Sequence, residues 1–172
     1  MISFCEDEKD KFIKKWYFEM PQTFCYPDTG GVVLLEEYGS TFIAIWFILF
    51  TIVCQFVVAV LAHRMQSGYR VGIIDPSLDQ ESFFFRAHRT FWNSLENIIP
   101  LIGLAFLALM AGYQPERLSA IIWIFAIARV LYTVTYYMII THKNPSTRSI
   151  FYLIGFGASL FLMFDLGWFL IM

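Results

Sequence analysis

Beyond residue 40 the chain runs through four long apolar stretches, at 41–62, 95–113, 118–141 and 150–171, separated by short polar connections. Each is long enough to cross a hydrocarbon core of about 30 Å at about 1.5 Å per residue, so the pattern predicts four transmembrane helices. These stretches fill nearly all of the chain after residue 40. The expected fold is therefore an all-α membrane protein, with one four-helix bundle over 41–172 and no separate soluble domain. Residues 1–40 follow a different pattern. The charge run from Glu6 to Lys11 and the pair Lys14 and Lys15 mix with aromatics, and Tyr26 to Gly31 reads as a turn. This predicts an N-terminal extension made of a short amphipathic helix and a loop. No apolar core comes early enough for a cleaved secretory signal.

Composition agrees with a membrane location. Of 172 residues, 58% are hydrophobic and only 15% charged, with a mean hydropathy of +0.61, outside the range of ordinary soluble domains. The net charge of −2 gives no reason to expect nucleic acid as a partner. The distribution of charge says more than its total. Arg64, Arg70, Arg86, Arg89, Lys143 and Arg148 flank the first and third connections, whereas the second offers Glu116 and Arg117. By the positive-inside rule the first and third connections face the cytosol and both termini the opposite side, in the endoplasmic reticulum of a eukaryote or the inner membrane of a bacterium. Cys5 and Cys25 would then share the non-cytosolic side, where a disulfide can form. Cys54 reads as a small core or lipid-facing side chain. His63, His88 and His142 are scattered and predict no metal site.

Polar residues inside the apolar stretches carry the candidate chemistry. Arg89, Asn93 and Glu96 lie at i, i+4 and i+7 and share one helix face as the second span begins. Charge in that setting must face protein, water or a ligand rather than lipid. Arg129 stands near the middle of the third span, where a lone guanidinium costs at least about 2.5 to 3.5 kcal/mol. Counted from the nearer helix ends, Arg129 lies about 18 Å deep and Glu96 about 20 Å, which predicts an ion pair between them. That pair reads either as a lock between two helices or as part of a polar cavity. Arg129, Tyr132 and Tyr136 fall at i, i+3 and i+7, so the tyrosines either extend the same polar face or serve as interfacial belt aromatics. Arg148 and Ser149 open the fourth span with Tyr152 on the same face, a position where a basic residue often only anchors the helix. Asp165 receives no role from its spacing.

Three motifs in order, Arg89-x-x-x-Asn93-x-x-Glu96-x-x-x-Pro100, Arg129-x-x-Tyr132-x-x-x-Tyr136 and Arg148-Ser149-x-x-Tyr152, resemble the membrane-associated proteins in eicosanoid and glutathione metabolism. The wording Leu95-Glu-Asn-Ile-Ile-Pro100 is nearest to the microsomal glutathione transferase branch. The resemblance covers about residues 55–171 and implies a homotrimer of four-helix subunits, with glutathione as co-substrate on the cytosolic side and a lipophilic molecule entering from the bilayer. It also implies that Arg89, Asn93, Glu96, Arg129, Tyr132, Tyr136, Ser149 and Tyr152 contact glutathione, and that Arg148 activates its thiol. The implied activity is that of a membrane-bound glutathione transferase or peroxidase. Trp92 stands where the prostaglandin E synthase branch has a further arginine, and the connection from Tyr136 to Arg148 is longer than in that branch, so its isomerase activity does not carry over. Two other readings compete: a non-enzymatic lipid-binding scaffold of the same fold, and a small channel or transporter using Arg129 and Glu96 as a relay.

Overall fold

The computed structural model describes residues 30–66, 69–140 and 146–172, with side chains from residue 34 onward. The charge run at the N-terminus, Cys5, Cys25, His142 and Lys143 lie outside the described residues. Four helices follow in order: α1 Gly30–Arg64, α2 Phe83–Met110, α3 Pro115–Met138 and α4 Thr147–Ile171. All four are long and apolar enough to cross a membrane. Leu34–Met172 forms one compact unit.

Local chemistry explains the ends of these helices. Ser82 caps α2, its hydroxyl accepting from the Phe85 N–H at 3.4 Å. At the other end, Gly112 takes a φ of +67°, open without strain only to glycine. The Tyr113 N–H then reaches the Ala108 carbonyl at 3.0 Å and the Gly112 N–H reaches Leu109 at 3.3 Å, the paired bonds of a Schellman ending. Pro115 opens α3 in the first turn, where its missing N–H is no loss. Helix α1 begins earlier than its apolar run and bends at Tyr38, whose φ of −107° and ψ of 15° are not helical.

The helices pack through small side chains. Ala44, Ala59, Ala87, Ala105, Ala108, Ala126 and Ala128 are all buried, while Ile43, Trp46, Val53, Ile99, Phe106 and Phe164 point outward. This is the arrangement expected when lipid is the solvent and close backbone approach, rather than apolar burial alone, holds helices together. Helix α3 makes its most extensive contact with α4. At Gly155 the two come so close that an added Cβ would sit 3.5 Å from Arg129 Nε and 3.7 Å from Ala128 Cβ. Alanine fits there, and a longer side chain would displace the arginine. Helix α1 joins α3 through Gln55 Nε2, which donates to Thr133 Oγ1 at 2.7 Å.

Two polar groupings mark opposite ends of the bundle. One brings together the α1–α2 connection and the start of α4, where Arg148 Nη1 donates to Gln80 Oε1 at 3.1 Å. The other joins the α2–α3 connection to the far part of α4. There Asp165 pairs with Arg117 at 3.1 Å and accepts from the Tyr113 hydroxyl, while the Tyr38 hydroxyl donates to the Tyr113 carbonyl. Burial, with the Asp165 carboxylate beside it, pushes the Tyr113 phenol up to about 12, so it remains a donor at neutral pH. Asp165 is thus a structural anchor. Asp165→Ala should cost about 1–3 kcal/mol, because it leaves a phenol and a guanidinium without their acceptor. Unfolding in detergent checks the loss, and ligand binding at the other end should be unaffected.

Candidate active site

A cavity of about 520 Å³ opens at the end of the bundle that carries Arg148. Arg89, Asn93, Tyr132, Tyr136, Arg148, Ser149, Tyr152 and Leu153 line it, drawn from α2, α3 and α4. Seven of the nine residues expected from the sequence motifs are therefore gathered around one space. Glu96 and Arg129 are the two that do not line it.

Arg129 lies directly behind the cavity wall and is only 2% exposed. Its Nη1 donates to Asn93 Oδ1 at 3.0 Å. The guanidinium carbon lies 5.1, 5.6 and 5.4 Å from the ring centres of Phe125, Tyr132 and Tyr152, so π-faces supply much of the compensation for its burial. Among the described residues its Nε and Nη2 have no hydrogen-bond partner. The Glu96 pairing expected from depth is not formed, and Glu96 is exposed on α2. Depth fixed how far along the helix the partner lies but not its direction around the axis. Asn93, one turn earlier, points at α3, and its neutral amide accepts from one guanidinium nitrogen without the cost of dehydrating a carboxylate.

Tyr132 and Tyr136 turn inward, at 5% and 7% exposure, so they belong to the bundle interior and not to an interfacial belt. Their rings meet at 5.5 Å, and Tyr152 stands 6.3 Å from Tyr132. Together they form an aromatic wall between the buried guanidinium of Arg129 and the cavity.

Arg148 occupies the second residue of α4, where a cation runs against the helix dipole. Its placement is offset by specific contacts: the guanidinium carbon lies 4.4 Å from the Tyr136 ring centre, and Nη1 donates to Gln80 as above. Ser149 closes the first turn, its hydroxyl accepting from the Ser146 N–H at 3.4 Å while its own N–H reaches the Ser146 carbonyl at 2.8 Å. The start of α4 thus presents an arginine, a serine hydroxyl and first-turn N–H groups beside one cavity. Such a surface attracts anions.

Gln80 and Leu153 are the site residues that the motifs did not reveal. Leu153 follows Tyr152 and belongs to no polar pattern. Gln80 sits in an irregular connection, where neither periodicity nor charge distinguishes it, and only the folded chain brings it to Arg148.

A sequence model described as the MAPEG family matches residues 40–168. The chain belongs to the MAPEG family. Microsomal glutathione S-transferase 1 of Homo sapiens is 30% identical to this MAPEG protein over 81 residues, which cover 47% of this chain and 50% of the human one. The match thus spans about half the length of that relative. No solved structure matches the chain. The MAPEG assignment and the four apolar helices make this an integral, multi-pass membrane protein.

Proposed function

We propose that this MAPEG protein is a glutathione-dependent membrane transferase or peroxidase, in which Arg148 stabilises the glutathione thiolate. The observation that carries the proposal is the convergence of Arg89, Arg148, Ser149 and three tyrosines on one cavity. Its volume falls in the range of about 300–1,000 Å³ usual for small-molecule sites. Glutathione offers two carboxylates, which match arginine forks, amide groups for hydroxyl and asparagine partners, and a thiol. A guanidinium beside that thiol lowers its pKa and so raises the nucleophilic fraction at neutral pH. The start of α4 acts in the same sense, because its first-turn N–H groups favour a neighbouring anion.

In the transferase reaction the thiolate attacks an electrophilic carbon, the new C–S bond forms and the leaving group departs with the displaced electron pair. In the peroxidase reaction two glutathione thiols are oxidised to the disulfide as a lipid hydroperoxide is reduced to the alcohol and water. The lipophilic partner arrives from the bilayer. Glu96 and Arg89 are both exposed on α2. Charge on that face of a spanning helix is unfavourable against lipid, which supports a homotrimer with these residues turned toward a neighbouring subunit. The excess of basic residues around the α1–α2 and α3–α4 connections supports a cytosolic site.

Thermal unfolding in detergent tests the proposal. Glutathione at a hundredfold excess over its Kd should stabilise the protein by about 2.7 kcal/mol. Absence of any shift up to several millimolar would favour a lipid-binding scaffold without the thiol chemistry.

A further inference from the structure

We infer that Gln80, in the connection between α1 and α2, is a positioning residue that sets the orientation of Arg148. The inference rests on the proposed role of Arg148 at the thiol. Gln80 uses both ends of its amide: Oε1 accepts from Arg148 Nη1 at 3.1 Å, and Nε2 donates to the Tyr136 hydroxyl at 3.2 Å. The Tyr136 ring is also the face on which Arg148 rests. One amide therefore fixes the guanidinium fork and the aromatic platform beneath it, from a segment outside all four helices.

A positioning residue must itself be held, and Gln80 is. Arg86, only 6% exposed, sends Nη1 back to the Gln80 carbonyl at 2.6 Å and to the Glu81 carbonyl at 2.9 Å. Asp79 accepts from the Glu81 N–H at 2.9 Å, and its carbonyl accepts from the Ser82 N–H at 3.1 Å, tying the segment into the start of α2. Leu78 packs against the cluster of Ala59, Ala62, Phe84 and Ala87. Arg86 is a charge buried without a carboxylate partner among the described residues, and its guanidinium donates through Nη1 to two carbonyls of this segment. Such a costly placement is consistent with a backbone that must not move. The chain of contacts runs from Arg86 to the Gln80 backbone, and from the Gln80 amide to Arg148 and Tyr136. A glutamine suits this role better than a glutamate, because a carboxylate next to Arg148 would offset the positive charge that the thiol needs.

The experiment compares wild type with Gln80→Ala, Gln80→Glu and Arg148→Ala, measuring kcat, KM for glutathione and the pH profile of conjugation to an activated aryl halide, with melting in detergent as the control for folding. Gln80→Ala should lower kcat about 10-fold with KM changed less, and should move the acid limb of the profile upward by about half a unit or more. Gln80→Glu keeps the acceptor but adds negative charge, so its acid limb should lie at least as high. If Gln80→Ala also lowers the melting midpoint, Gln80→Glu alone decides. An acid limb at the wild-type position in Gln80→Glu, or in a Gln80→Ala protein that melts normally, overturns the positioning role. An unshifted limb in Arg148→Ala instead overturns the underlying assignment of Arg148 to the thiol.

Discussion

Arg148→Ala should reduce kcat for conjugation about 10²- to 10³-fold near neutral pH, the usual consequence of removing one charged group from a developing or resident anion. The loss should depend on pH in a definite direction. With the guanidinium removed, the bound thiol reverts toward a free thiol value of about 8.5, so less of it is ionised at neutral pH. Raising the pH above that value restores the thiolate without help from the protein, and the gap between variant and wild type should narrow. Glutathione affinity should fall less than kcat, because Arg89, Ser149 and the tyrosines remain around the cavity. Steady-state kinetics across the pH range checks both parts. An equal loss at every pH would mean that Arg148 positions the substrate without affecting ionisation.

The second large effect concerns the arginine behind the wall. Asn93→Leu removes the acceptor of Arg129 Nη1 and leaves a charge that is 2% exposed with only ring faces around it. Breaking one side of a buried charged contact costs about 3–5 kcal/mol. The double variant Asn93→Leu with Arg129→Met removes the charge as well and should recover much of that stability, since a well-packed apolar replacement is often neutral. Denaturation in mixed detergent measures the three proteins. Both variants should bind glutathione poorly, because Asn93 lines the cavity. If the double variant is less stable than Asn93→Leu alone, Arg129 is held by more than Asn93 and the rings.

Much of this arrangement was legible in the sequence, for a physical reason that differs by residue. Tyr132 and Tyr136 follow Arg129 at helical spacing, and a guanidinium in a membrane span can scarcely face lipid, so the cost of the charge favoured an inward face for them over a place in an interfacial belt. Arg148, Ser149 and Tyr152 fall within the first two turns of α4, where local spacing alone places them together. Glu96 shows the limit of such reasoning. Its depth matches that of Arg129, yet the residue that makes the contact is Asn93, because rotation about the helix axis is decided by packing between α2 and α3. The second helix begins at Phe83, the start from which the depth of Glu96 is counted and well before its apolar run, and its polar face from Arg86 to Asn93 is turned partly into the bundle. Asp165 and its partners Tyr113 and Arg117 are too far apart in sequence for spacing to join them. Gln80 lies at the extreme, a neutral residue in an irregular segment that no periodicity could single out.

The most direct measurement is the ultraviolet thiolate band of glutathione titrated onto the detergent-purified protein near neutral pH. The account predicts that a thiolate band appears on binding, with release of a proton, and that it disappears in Arg148→Ala. Binding that raises the melting midpoint but yields no thiolate band in the wild type would contradict it.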